Sequence, residues 1–215
     1  MTRKLLTTAV GLLLIFVLSP ALTAGQGAAG ADRVVARVLG VSVTERQLDD
    51  PDAKIAGIDF APGEKNLTET QKAEQRRLRL EAVIWKLLRE EYYRRTGTAA
   101  TQAEMNAFTK AVFKQRVARG VNRTLAEAAV KGWKFDRALY KQYGGTVIFQ
   151  QSNPLEPVGA YRKFLEEHEG KRSFEILDPA LREAFWAYYT GEQEMVVPPA
   201  EVNYEIPWWL QKPKG

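Results

Sequence analysis

Cysteine is absent from the 215-residue chain. Its absence excludes a disulfide framework, a lipidated N-terminus, thiol catalysis and cysteine-ligated metal together. Histidine is nearly absent too: His168 is the single imidazole, so the two-histidine helix of a zinc protease cannot be assembled. Glu166, Glu167 and Glu169 crowd around it, and with no second imidazole the segment reads as an exposed helix end, with no metal and no cofactor expected. No G-x-S-x-G elbow positions a serine nucleophile, and Gly144-Gly145 lacks the Lys-Ser/Thr sequel of a phosphate loop, so it reads as a helix stop. A dominant charge is missing as well. The chain has 31 basic and 26 acidic residues, net +5, with the two signs interleaved. A nucleic-acid partner is therefore not expected.

Long apolar runs are lacking except for one, Leu5 to Leu18. It follows Arg3 and Lys4 and leads into small residues up to Ala31. That is the layout of a secretory signal, with a cut expected between residues 21 and 31. The run falls short of the ~20 residues a spanning helix needs. No second run exists, so no stable membrane span is expected after processing. Export without disulfides points to the periplasm or another part of a bacterial envelope. The remaining chain is long enough for one domain with a proper core.

Helix starts are abundant. Thr44 with Gln47, Thr68 with Gln71, Thr101 with Glu104 and Thr124 with Glu127 all fit the capping box, in which the Thr hydroxyl and the Gln or Glu side chain satisfy each other's first-turn amides. The pattern predicts a helix over 69–95 carrying Leu80, Val83, Ile84, Leu87 and Leu88 on one face, closed by Gly97. Further helices are expected over 102–118 and 125–143. Two shorter ones follow, one near Pro157 and one with Asp178 as N-cap and Pro179 in its first turn. Residues 49–66, with Pro51, Gly57, Pro62 and Gly63, read as an inserted loop.

Ahead of the helices, Val34 to Val38 reads as one short strand that turns at Gly40. A lone strand must find a partner far along the chain, and the candidates are Thr146 to Gln151 and Ser173 to Ile176. The fold class expected is therefore mainly α, a bundle-like module with one small strand pairing, spanning 32–194. Residues 195–215 contain Pro198, Pro199, Pro207 and Pro213 and should be extended. Among the aromatics, Trp85, Trp133 and Trp186 fall on periodic helix faces and are expected in the core. Trp208 and Trp209 are different. In an extended segment adjacent side chains point to opposite sides, so one of the two should be exposed and available to a partner.

The stretch with Val35, Ala36, Val38, Gly40, Val43, Thr44 and Leu48, followed by Leu80, Ile84, Leu87, Leu88, Gly97, Thr101 and Glu104, resembles the N-terminal module of the SurA and PrsA type of exported folding factors. The resemblance covers roughly residues 33 to 120. It implies a strand-clamped helical chaperone module acting on unfolded or partly folded polypeptides. The chain departs from the family at Leu39, where Asn usually precedes the Gly; Asn-Gly suits a tight turn with positive φ and Leu does not. It also lacks the histidine-bearing, glycine-rich parvulin segments, so prolyl isomerase activity is not expected. The leading expectation is an exported, non-catalytic holding module. An envelope adaptor for one folded partner is the alternative, and a cell-wall glycosidase is a third reading, because paired carboxylates are defined by their separation in space.

Overall fold

The computed structural model describes residues 33–50, 52–60, 67–113 and 119–211, and for 119–122 the backbone alone. The expected signal, Pro51, Pro62, Gly63, Pro213 and the stretch up to Ala118 lie outside the described residues. The protein is mainly helical with a small antiparallel sheet, as expected.

Strand β1 (Val34–Val38) is followed by β2 (Val41–Thr44), and the sheet is completed by β5 (Phe174–Ile176), in the order β2-β1-β5. The N-terminal strand is thus central, and the second candidate segment is its distant partner. Ala36 lies opposite Ile176 and Val38 opposite Phe174. The other candidate, around Ile148, forms only isolated bridges to Glu156 and Val196. A bulge between Val34 and Ala36 explains how Val35 and Ala36, adjacent in the chain, are both buried.

The chain does not pass directly from one strand into helices, because β2 intervenes. Leu39 and Gly40 have φ of 46° and 84°, the positive pair of a two-residue hairpin turn. Leu39 therefore takes the conformation that its side chain disfavours. Its amide donates to Ser173 O at 2.7 Å, which also ties the turn to β5.

Helix α1 (Glu45–Asp49) starts at Thr44 and α2 (Glu69–Thr96) at Thr68, each with both capping-box bonds formed. α2 ends at Gly97, whose φ of 67° is left-handed. Between α1 and α2 the expected loop contains a small hairpin, β3 (Lys54–Ile55) with β4 (Ile58–Asp59), and Ile55 reaches the main core. Arg79 of α2 is buried, and its guanidinium donates to the carbonyls of Leu48 and Asp50 at 3.1 and 2.6 Å, holding the end of α1.

Helix α3 (Gln102–Phe113) begins at the third capping box, where Thr101 and Glu104 exchange bonds. The fourth expected start is not a start: α4 spans Arg119–Tyr143, and Thr124 lies inside it. α4 ends at the two glycines, and Gly145 packs against Gly159 of α5 (Val158–Gly170). A Cβ on Gly159 would fall 2.4 Å from Thr146 N, so the crossing requires glycine. Asp178 caps α6 (Pro179–Thr190), accepting from Leu181 N at 2.9 Å.

The main core joins the sheet to α2, α4, α5 and α6 through Val35, Val38, Leu80, Ile84, Leu88, Phe135, Leu165 and Phe185, all almost wholly buried. Trp85 belongs to it; Trp133 and Trp186 are half-buried. Two satellite clusters stand apart, one of Met105, Phe108, Ala126 and Val130, the other of Val147, Leu155 and Tyr204.

Candidate functional site

Past α6 the chain returns across the molecule. Val197 N donates to Val147 O and Phe149 N to Met195 O, each at 2.9 Å. Two short extended pieces are thereby laced together. Beneath them, Tyr204 is buried, its ring 4.8 Å from Tyr140 and its hydroxyl donating to Leu155 O at 2.6 Å. Glu205 then pairs with Arg137 and Lys141 of α4 at 2.7 and 3.1 Å. These bonds hold the carboxyl-terminal segment onto the helices.

What they leave uncovered is apolar. Phe149, Met195 and Val196 are 47%, 66% and 52% exposed. They border a groove of about 600 Å³ that Pro154, Leu155 and Trp208 also line. Among the described residues that line it, Glu201 and Gln211 carry the charged and amide side chains. Met195 has φ of 54°, a left-handed position at a bend in the backbone. The groove thus combines large apolar side chains, few charges and a backbone fixed from below.

Trp208 and Trp209 are not extended. They form a 3-10 turn, Trp208–Leu210, after Pro207. With about three residues per turn, neighbouring side chains there diverge by ~120° and not by half a circle. Both indoles are accordingly half-buried against the same satellite cluster. The Trp209 ring centroid lies 5.1 Å from that of Phe108 and 5.9 Å from that of Trp133. Of the two, Trp208 lines the groove.

His168 is half-buried, not an exposed helix end. Its ring lies 4.3 Å from that of Phe164, and its Nδ1 is buried without a partner. Burial, with help from Lys171, pushes its pKa below the usual imidazole value. The carboxylates beside it are committed elsewhere. Glu166 accepts from Arg162, Glu167 from Tyr143 and Lys171, and Glu169 from Arg182. No group of three or more His, Asp or Glu among the described residues is placed to hold a metal ion, and no helix among them is long and apolar enough to cross a membrane.

Sequence reasoning missed Phe149, Met195 and Val196. The available signal was two apolar runs, Val147-Ile148-Phe149 and Met195-Val196-Val197, each within a few residues of a proline. Such runs are able to pair with each other and still have too little chain around them to be covered. Comparison of the chain with protein-family models, with curated proteins and with solved structures finds no match.

Proposed function

We propose that the protein is an exported, non-catalytic chaperone-like module that holds unfolded or partly folded envelope or secreted polypeptides. The observation that carries this reading is the exposed apolar groove of Phe149, Met195, Val196 and Trp208. Burying one client Leu or Phe there contributes about 1.5–3 kcal/mol. That is less than the ~4 kcal/mol of even a millimolar complex. Holding therefore rests on several weak contacts, each easily released, which suits a client that must leave to fold. Met195 adds an adaptable, polarizable wall that accepts varied side chains.

The test is suppression of aggregation of several unrelated unfolded proteins by the mature chain. Wild type should suppress all of them. The triple variant Phe149→Ser, Met195→Ser, Val196→Ser should lose most of that effect and keep its thermal unfolding, since these side chains are exposed. Equal suppression by the triple variant would overturn the assignment of the groove. Stoichiometric capture of one folded partner with no effect on unfolded clients would assign the protein to the adaptor class instead.

A further inference from the structure

The two pieces that border the groove pair in one antiparallel register, with Ile148 opposite Val196. Their hydrogen bonds run between the residues on either side, Phe149 N to Met195 O and Val197 N to Val147 O. In such a ladder the residue between two bonds turns its own N–H and C=O the other way. Ile148 spends both groups on Glu156, donating at 2.9 Å and accepting at 3.0 Å. Val196 turns its pair away from Ile148, and among the described residues neither group has a partner. An unpaired peptide group is tolerated where it meets solvent, and Val196 is 52% exposed. Val196 therefore presents one donor and one acceptor at an open sheet edge, beside the groove that it lines.

The edge is one residue long. Met195 before it is left-handed, which breaks the strand. Pro198 after it has no N–H, and its carbonyl accepts from Glu201 N at 2.8 Å. Ends blunted in this way keep the edge from recruiting a long strand and growing into an aggregate. What remains is a place for one residue of an extended guest, which exchanges two hydrogen bonds with Val196 while every second side chain beside it falls on one face. Charge narrows the guest further. Among the described residues that line the groove none is Lys or Arg, while Glu201 lines it and Glu192 and Glu194 are exposed just ahead of Met195. Basic residues flanking the apolar stretch of a guest complement that rim.

We propose that an extended polypeptide segment, apolar at alternate positions and flanked by basic residues, adds to this edge as a strand through the backbone of Val196. The proposal rests on the chaperone reading of the groove and states how the client lies in it. Backbone pairing is blind to side-chain identity, so unrelated clients are held in one geometry, and the alternation it imposes turns half of their side chains toward Phe149, Met195 and Trp208. A folded protein has its own amides paired and gains nothing at the edge. Release follows when the client spends the same N–H in its own fold.

The experiment titrates the protein with a fluorescently labelled, unstructured peptide that has apolar residues at alternate positions and Lys at both ends. Versions of it carry a single backbone N-methyl group at each position in turn, and one version has Glu in place of the terminal Lys. Anisotropy should show one sensitive position, where methylation weakens binding by about tenfold or more because it removes a hydrogen bond and blocks the edge, with tolerated positions on both sides of it. The Glu-flanked peptide should bind more weakly than the Lys-flanked one, and the gap should shrink as salt is added. Amide hydrogen exchange supplies a readout on the unaltered protein. With the Lys-flanked peptide at saturation, the Val196 amide should exchange about tenfold more slowly, while those of Phe149 and Val197, bonded already, change little. A methyl scan without a sensitive position, or a Val196 amide that a bound peptide leaves unprotected, would overturn strand addition and leave a groove that holds side chains alone. Equal binding of the two flanked peptides would overturn the basic flanks. In either event, aggregation suppression that still depends on Phe149, Met195 and Val196 leaves the chaperone reading intact, so the two failures are distinguishable.

Discussion

Replacing Leu39 by Gly and, in a separate variant, by Ala isolates the strain in the β1–β2 turn. Both changes delete the same side chain, which is 42% exposed and lines a depression shared with Tyr92, Phe164 and His168. Lost packing is therefore nearly the same in the two variants and cancels in their difference. What remains is the backbone. At φ of 46° an L-residue pays about 1–2 kcal/mol that glycine does not. Against this stands the greater freedom of glycine in the unfolded chain, about 0.5–1 kcal/mol in favour of Ala at an ordinary position. The balance puts Leu39→Gly above Leu39→Ala by about 0.5–1 kcal/mol.

The control is Arg37, exposed in the regular part of β1. There the order should invert, with Ala above Gly by about 0.5–1 kcal/mol. Urea unfolding of the protein, followed by circular dichroism, reads both differences, and the Leu39 pair should also separate by about 1–4 °C in melting temperature. Ala equal to or better than Gly at position 39 would refute the positive-φ turn. With it would go the hairpin that makes β1 the central strand.

Three further outcomes follow from packing and charge. Gly159→Ala places a methyl 2.4 Å from Thr146 N and should cost about 1–3 kcal/mol or more as backbone is forced apart, read by the same urea titration; a neutral result would deny the close approach of Gly145 and Gly159. Tyr189→Phe removes the hydroxyl that accepts from Trp85 Nε1 at 2.7 Å and donates to Glu81, and the orphaned indole should cost about 1–3 kcal/mol, with Trp emission changing in the folded state. His168 has its folded pKa lowered, chiefly by burial, so protons bind the unfolded chain preferentially. Its stability contribution is whole above the unfolded value near 6.5 and is lost as pH falls below it. His168→Gln should flatten that part of the melting-temperature profile between pH 7.5 and 5.5, and an unchanged slope would count against a buried neutral imidazole.

The helices announced themselves where a local motif and a long-range period agreed. At Thr68 the capping box precedes an apolar face that runs from Leu80 to Leu88, and the helix observed, Glu69–Thr96, extends one residue past the expected end. Thr124 shows the limit of a local motif. Its spacing to Glu127 is right, but Ala126 and Val130 bury against Met105 and Phe108, and no proline interrupts the preceding turn. A continuous helix therefore satisfies the same amides that a cap would. The strand partner of β1 was undetermined for a related reason, since both candidates were short apolar runs and period alone does not choose between them. Phe174 and Ile176 are both buried opposite Val38 and Ala36, a fit that depends on tertiary register. β2 was hidden by Leu39, because Leu-Gly is not a recognised turn signal.

The groove was invisible for the same cause seen from the other side. Thr146 to Gln151 did not become the partner of β1, and its apolar residues met Met195 to Val197 instead. Those two pieces bridge only around Ile148, too few residues to shield their own side chains, and Phe149 and Val196 stay half in water. Of the two pieces only Ile148 reaches the main core, which the clamp between β1 and β5 closes without Phe149 or Val196. Exposure of Phe149 and Val196 therefore costs the core nothing, and a guest that covers them meets a backbone already ordered by Tyr204 and by the ion pairs of Glu205. Pre-ordering lowers the entropy lost on binding. On the proposed reading, it is the physical reason why contacts as weak as a single buried side chain would suffice, when repeated, to hold a client.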